Sequence, residues 1–381
     1  MNWGPLWTGV RGVAMAIALF GCDPPSQPAT DAPAHSPSAG TTSVNSSMQV
    51  TGQTYAMAQQ VRWLDGEHFV VGRWDGTISV FISPDDAADD PKLVAALAMP
   101  DGAAVRMIAV QNPDTFVSSS GEDSLVIWRK VSATEFSPEV VEYPAGHGFA
   151  VSGLFVSRDG EDHFITGHEN GDLLIWSTTP DGRLSLVRTV DLRMKDPIDY
   201  MHDEEPLRHI RGLASWRDGI VIAGGEDGGL HQVRLSDGAV LSQRLFNRRA
   251  RLGVNDLAVH EDELLVVNCA IDRNDRNVWL YALTEGDFAL RDSANLLRDA
   301  DAKRIFAFDI VTYEHHHEPS ALVTTKEGLL WRIRFGDNQI EPVESLPLGR
   351  FNYGSAIDYD ESTRRIAAAG ISVRVVSIAG E

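Results

Sequence analysis

Several things are scarce in this chain, and each shortage removes a class of protein. It has two cysteines, Cys22 and Cys269, in 381 residues. That excludes a disulfide-stapled scaffold, and no Cys-x-x-Cys spacing offers a pair of metal ligands. Cys22 ends an apolar run and Cys269 lies inside an apparent strand, so the two are not read as a pair. Cys269 is expected to be a buried small hydrophobe. Basic residues are outnumbered: 33 Lys and Arg face 54 Asp and Glu, a formal net charge of -21. A chain this acidic repels nucleic acid and anionic lipid as a whole, so no nucleic-acid partner is expected. No apolar run approaches the ~20 residues a spanning helix needs. Catalytic signatures are missing too: there is no Gly-x-Ser-x-Gly, P-loop, Gly-x-Gly-x-x-Gly ahead of a helix, His-Glu-x-x-His or EF-hand loop. No cofactor is expected and no reaction is assigned.

What is present starts with a leader. One positive residue, Arg11, precedes an apolar core at Val13–Phe20 and small residues beyond it, the pattern of an export signal. Leu19-Phe20-Gly21-Cys22 resembles the bacterial lipoprotein signal, with Phe20 bulkier than that family's usual residue. The resemblance implies that residues 1–22 are a signal peptide ending at a lipidated Cys22. It implies an exported chain anchored on the periplasmic side of the cell envelope, the inner or outer membrane being left open. An ordinary cleaved signal with a coincidental cysteine is the alternative. Residues 23–47, "DPPSQPATDAPAHSPSAGTTSVNSS", are rich in Pro, Ser, Ala and Thr and lack apolar periodicity, which reads as a disordered tether.

The remainder is built on one repeated theme. "GRWDGTISVF", residues 72–81, places Asp75-Gly76 between two β-prone runs, a hairpin signal. Comparable units of alternating apolar residues and tight turns begin at Val61, Val105, Val151, Ile210, Val254, Ile305 and Tyr353, so successive starts lie 44, 46, 59, 44, 51 and 48 residues apart. Periods of this size, each with four short strands, predict propeller blades.

Residues 48–381 resemble the WD-repeat family. Trp128 and Trp176 stand at its third-strand Trp position, and Asp75 and Asp227 at its turn-Asp position. Glu122, Asn170, Asp275 and Glu327 occupy that turn position in other blades, and Gly146-His147 matches its Gly-His dipeptide. Most blades lack the His and the Trp, so the resemblance implies only a partial side-chain hydrogen-bond network. The fold class expected is an all-β, seven-bladed β-propeller. Its seventh unit has three strands of its own, and Met48–Gln53 is expected to add the fourth and close the ring.

Two runs look like metal sites at first sight. "EHHHEP", Glu314–Pro319, carries His315, His316 and His317 in a loop of the sixth unit, but adjacent His residues cannot all face one ion in a strand. It is read as a solvated loop, with a weak transition-metal site as the alternative. "DRNDRN", Asp272–Asn277, lacks the Gly and the final Glu of a calcium loop and is read as a long hairpin turn.

Loop lengths carry more information. The long segments 193–209, 247–253 and 292–304 enter the fourth, fifth and sixth units, on the face shared with the inner turns. They gather Arg208, Arg211, Arg248, Arg249, Arg251, Arg276, Arg298, Lys303 and Arg304, with Arg350 further on. Such guanidinium groups suit an anionic group or an acidic partner segment. Pairing with Asp196, Asp199, Glu204, Glu205, Asp299 and Asp301 as surface ion pairs is the other reading. The expected function is a monomeric, non-catalytic, lipid-anchored platform for a protein or peptide partner. The rival is a metal-dependent hydrolase or lactonase centred on the channel. It would need several inward Asp, Glu, Asn or His residues, of which Asn255 is the one evident at an inner-strand start.

Overall fold

The computed structural model describes residues 56–84, 89–121, 123–158, 161–179, 183–198, 207–217, 219–247, 253–270, 275–296, 305–325, 328–348 and 356–378. Blade 1 comprises β1 (Ala58–Trp63), β2 (His68–Arg73), β3 (Thr77–Ile82) and β4 (Lys92–Ala98). Blade 2 comprises β5 (Met107–Asn112), β6 (Thr115–Ser119), β7 (Ser124–Ser132) and β8 (Glu135–Glu142). Blade 3 is β9 (Ala150–Arg158), β10 (Glu161–His168), β11 (Asp172–Thr178) and β12 (Leu184–Asp191). Blade 4 is β13 (Ile210–Trp216), β14 (Ile220–Gly225), β15 (Gly229–Arg234) and β16 (Ala239–Leu245). Blade 5 is β17 (Val254–His260), β18 (Glu263–Ala270), β19 (Val278–Thr284) and β20 (Asp287–Ala294). Blade 6 is β21 (Ile305–His315), β22 (Glu318–Thr325), β23 (Leu329–Gly336) and β24 (Gln339–Pro347), and blade 7 is β25 (Ala356–Asp360), β26 (Arg365–Ala369) and β27 (Val373–Ser377). Every blade is an antiparallel meander, and blades 5 and 6 share a short bridge where Cys269 and Ala270 of β18 pair with Phe306 and Ile305 of β21.

Burial falls from the middle of each blade outward. The central strands are near-continuous apolar runs because both of their faces meet a neighbouring blade: every residue of β6 and β14 is buried. The outer strands alternate instead. In β12, "LSLVRTVD", Ser185, Val187, Thr189 and Asp191 are exposed, while Leu184, Leu186, Arg188 and Val190 are partly or fully buried. That is the period of two which one wetted face demands.

The buried side chains form seven apolar clusters, and each belongs to one interface between consecutive blades. Ile78, Val80, Ile108 and Trp128 join blades 1 and 2. Leu125, Ile127, Phe164 and Trp176 join blades 2 and 3, and Ile165, Ile175, Val221 and Val233 join blades 3 and 4. Blades 4 and 5 meet through Trp216, Ile222, Leu264 and Tyr281, blades 5 and 6 through Leu265, Leu280, Val323 and Ile333, and blades 6 and 7 through Tyr313, Leu322, Ile357 and Ile366. The seventh cluster returns from blade 7 to blade 1 through Ala367, Val375, Val61 and Phe69. The first strands touch in the same cyclic order, β1, β5, β9, β13, β17, β21, β25 and back to β1. The chain is therefore a closed seven-bladed propeller, as its repeats predict. At the seam, the Ala58 amide donates to the Gly370 carbonyl at 3.0 Å, and the buried Arg73 reaches the Ala56 carbonyl at 2.9 Å. The expected closing strand, Met48–Gln53, lies outside the described residues.

Local chemistry accounts for the turns. In the Asp75-Gly76 turn, Gly76 takes φ +79°, and a Cβ there would lie 2.7 Å from the Ala103 carbonyl oxygen. Asp75 keeps a negative φ and works as a cap, its Oδ1 accepting the Thr77 amide at 3.1 Å and the Thr77 hydroxyl at 2.6 Å. The third-strand tryptophans are tied to their second strands. Trp128 donates to Ser118 at 2.8 Å, Trp176 to Thr166 at 3.0 Å, and Trp279 to Asn268 at 2.9 Å. The outer strands are interrupted by β-bulges, with Val94, Val187, Leu241, Arg291 and Val343 left out of register against the third strand. In blade 2 the extra residue is Val131, on β7.

Candidate functional site

Strands alternate in direction within a blade, so each turn from second to third strand and each loop entering a new blade emerge on one face. At the inner edge of that face, four blades contribute to a single cluster. Trp74 comes from the β2–β3 turn, Arg106 from just before β5, Phe149 from just before β9 and Glu169 from the β10–β11 turn. His209 precedes β13, Arg211 lies in it, and Glu226 sits in the β14–β15 turn.

The charges in this cluster are unevenly satisfied. The Glu226 carboxylate takes His209 Nδ1 at 2.8 Å on one oxygen and Arg211 Nε at 2.7 Å on the other. Burial opposes its charge, but Arg211 and His209 outweigh burial and hold the carboxyl below its usual range. The Arg106 guanidinium is treated differently. It lies over the Trp74 ring at 4.8 Å and the Phe149 ring at 5.1 Å from their centroids. Unlike Arg211, its guanidinium makes no ion pair with a described residue. Burial lowers its pKa, the Arg211 charge adds to that, and nearby Glu169 opposes both. Burial in turn raises the Glu169 pKa, against the pull of His209 and Arg106.

Blade 3 supplies a second polar group beside this one. His147 Nδ1 bonds Asp172 at 2.6 Å, and Asn170 bonds both Asp172 at 2.7 Å and the Gly146 carbonyl at 2.9 Å. The Gly-His dipeptide thus ties to Asp172, with the turn residue Asn170 in support. His168 is buried between Thr166 at 2.8 Å and the Gly148 carbonyl at 2.9 Å, and burial pushes its pKa down to about 4. These contacts hold the loop carrying Phe149.

Of the basic residues expected at the site, Arg208, Arg211 and Arg276 are described. Arg211 is bound to Glu226, and Arg208 is half-buried where its charge favours ionised Asp191 and Asp227. Arg276 is exposed. Arg248, Arg249, Arg251, Arg298, Lys303, Arg304 and Arg350 lie outside the described residues, as do Cys22 and the partner carboxylates Asp199, Glu204, Glu205, Asp299 and Asp301. Sequence reasoning missed Arg106, although a signal was present. A β-branched residue followed by Arg opens three units, at Val61-Arg62, Val105-Arg106 and Ile210-Arg211.

The inner strands hold a second surprise. Asn255 is not alone: Asp256, Asp309 and Asp358 stand on β17, β21 and β25. Each carboxylate accepts an amide of the next blade's first strand: Asp256 from Ile310 at 3.1 Å, Asp309 from Ile357 at 2.8 Å, and Asp358 from Trp63 at 2.7 Å. Burial raises the Asp256 pKa well above its usual value, and the charge of Asp309 with a side-chain hydrogen bond between the two carboxyls raises it further. Arg62 faces all three, and their charges overcome burial to raise its pKa. One oxygen of every member is thus committed to joining blades, which makes the belt a fastening. Asn255 is spent similarly, donating to the Cys269 sulfur at 3.1 Å and to the Ala307 carbonyl at 2.5 Å. Cys269 is half-buried, not the fully buried residue expected.

The His-rich run is a two-residue hairpin turn on the opposite face. His315 pairs with Glu318, while His316 and His317 take φ 51° and 63°. Among the described residues no group of three or more His, Cys, Asp or Glu side chains could hold a metal ion. In "DRNDRN", Asn277 is buried, its Oδ1 accepting the Leu296 amide at 2.9 Å, and residues 272–274 lie outside the described residues.

No protein-family model matches the sequence, and no curated protein matches it. Solved structures do match in shape. The β-propeller domain of Cps50 (Swd1) from Myceliophteria thermophila superposes with a TM-score of 0.61 at 13% identity, over 87% of this chain and 99% of that one. The WD40 β-propeller domain of Doa1 gives 0.60 at 12% identity, over 86% and 95%. The computationally designed Ika8 protein gives 0.52 at 14% identity, over 84% and 83%. The fold is that of the WD40-type propellers; at these identities the likeness speaks of architecture alone.

Proposed function

We propose that this chain is a non-catalytic scaffold that holds a protein or peptide partner on the face carrying the blade-entry loops and inner turns. We also propose that it is exported, and held on the periplasmic side of the cell envelope through a lipid on Cys22. The observation that carries the scaffold reading is the cluster at the inner edge of that face. Aromatic and charged side chains from four blades converge there, while the carboxylates deeper in the ring are occupied in fastening blades together. A rigid closed ring that presents mixed aromatic and ionic side chains from several loops suits recognition of another polypeptide.

A photo-crosslinking residue at exposed Ala145 samples this face, and one at exposed His316 samples the opposite face. In extract of the source organism, a discrete adduct is expected from position 145 and not from position 316. Equal adducts from both positions, or none from 145, would remove this face as the docking surface. For the anchor, Cys22→Ser is expected to release the protein from the membrane fraction. A variant that still sediments with membranes is not held by a lipid there.

A further inference from the structure

The scaffold reading leaves the chemistry of the partner open, and the state of Arg106 narrows it. An arginine that is half-buried ordinarily lies in ion-pair or hydrogen-bond reach of a carboxylate or a carbonyl. Arg211, its neighbour in the cluster, follows that rule through Glu226 at 2.7 Å. Arg106 does not. Its guanidinium carbon lies 4.8 and 5.1 Å from the Trp74 and Phe149 ring centroids, and no described carboxylate pairs with it. Rings beside a guanidinium restrain it without consuming its N–H donors, and the terminal Nη pair keeps the planar fork. That is the arrangement which grips a carboxylate with two parallel hydrogen bonds.

We propose that Arg106, held against Trp74 and Phe149, is a clasp for a carboxylate side chain of the partner polypeptide. The proposal rests on the scaffold reading and names the partner's chemistry: an acidic segment laid across the inner edge of the ring. Charge balance favours a single negative charge. Glu226 already neutralises Arg211, so Arg106 is the cation left over among the described residues of the cluster, and Glu169 beside it competes with any incoming anion. A doubly charged phosphate would find one unmatched guanidinium and a neighbouring carboxylate. Glu169 therefore supplies an internal control. Removing its charge strengthens an acidic ligand and weakens a basic one.

The test uses a short fluorescein-labelled Glu-Gly repeat peptide, with Gln-Gly, Lys-Gly and phosphoserine-Gly peptides of the same length. Anisotropy is read at about 0.15 M salt, where the Debye length is ~8 Å and the overall acidity is screened. The Glu-Gly peptide is expected to bind the full chain more tightly than the other three. Arg106→Gln should weaken it about tenfold to a hundredfold, the value of a charged hydrogen-bond pair. Arg106→Lys, which keeps the charge and loses the fork, should fall between. Glu169→Gln should tighten binding. Thermal melts by circular dichroism confirm that each variant is folded, and Glu169→Gln reports independently should Arg106→Gln not fold.

Indifference of the Glu-Gly peptide to Arg106→Gln overturns the clasp, as does preference for the Lys-Gly or the phosphoserine peptide. So does looser binding in Glu169→Gln. Crosslinking from position 145 that survives Arg106→Gln would leave the scaffold standing and the clasp refuted. Absence of crosslinking in the otherwise unaltered chain would refute the scaffold itself.

Discussion

Replacing Asp358 with Asn tests how deeply the carboxylate belt is buried at the seam of the ring. The Asp358 carboxylate accepts the Trp63 amide at 2.7 Å, across the junction of blade 7 with blade 1. Burial pushes its pKa up to about 6, against the pull of Arg62 and that amide. In the unfolded chain the same group titrates near its ordinary value of 3.8. A carboxyl whose folded pKa is raised stabilises the fold most below the unfolded pKa, and loses that contribution as the pH climbs through the folded value. The loss runs from about pH 4 to pH 6 and amounts to about 3 kcal/mol at most, at roughly 1.36 kcal/mol for each whole step between the unfolded and folded pKa values. Asn keeps an oxygen for the Trp63 amide and cannot ionise, and Arg62 still faces Asp256 and Asp309. Urea unfolding of both proteins between pH 4 and pH 7 gives the difference curve, in which the other carboxylates cancel. The Asn variant should gain on the parent by ~2–3 kcal/mol across that range. A difference that stays flat with pH would refute the burial of an ionisable carboxyl at this seam.

Other perturbations address separate joints. Gln232 is buried in blade 4 and clamps blade 5, donating to the Thr284 and Asp287 carbonyls at 2.9 and 2.8 Å and accepting the Gly286 amide at 2.8 Å. Gln232→Ala should cost about 2–4 kcal/mol in urea unfolding, and a loss of a few tenths would contradict the clamp. His231 is fully buried, and burial pushes its pKa down to about 4. Its contribution is present above the unfolded pKa of about 6.5 and lost as acid approaches pH 4, so NMR should show a neutral ring at about pH 5.5; a midpoint near the unfolded value would contradict this. A Cβ on Gly253 would lie 1.9 Å from the Glu226 carbonyl oxygen. Gly253→Ala should therefore lower the melting temperature by several degrees, a shift corresponding to about 1–3 kcal/mol, and an unchanged melt would argue against that close approach.

The architecture was largely legible in the residues. Strand and turn chemistry recurs locally, so the starts at Val105, Ile210 and Val254 fall within a few residues of β5, β13 and β17. Trp128 and Trp176 make the second-strand contacts their positions imply. Trp279 makes the same contact with Asn268, a partner the repeat pattern does not feature. The site was harder to read, because its members are neighbours only after the ring closes. Trp74 and Arg106 are separated by two strands, β3 and β4, and Phe149 by a further blade. Counting arginines in long loops favoured abundance. The structure instead distinguishes Arg106 from Arg211 by what each one touches, and a sequence does not record which of two guanidiniums has found its carboxylate. The acidic belt escaped notice for a related reason. Asp309 and Asp358 stand inside their strands, and irregular register at Ala307–Ile310 moves Asp309 off the repeat frame.

The displaced residues of the outer strands have a consequence for molecules held side by side. An uninterrupted outermost strand offers a template on which a second copy could continue the hydrogen-bonded ladder. Here Val94, Val187, Leu241, Arg291 and Val343 break the spacing of that template in five blades, and Pro138 and Pro342 withhold an amide in β8 and β24. Two copies meeting rim to rim at these blades would find no regular ladder on which to merge their sheets.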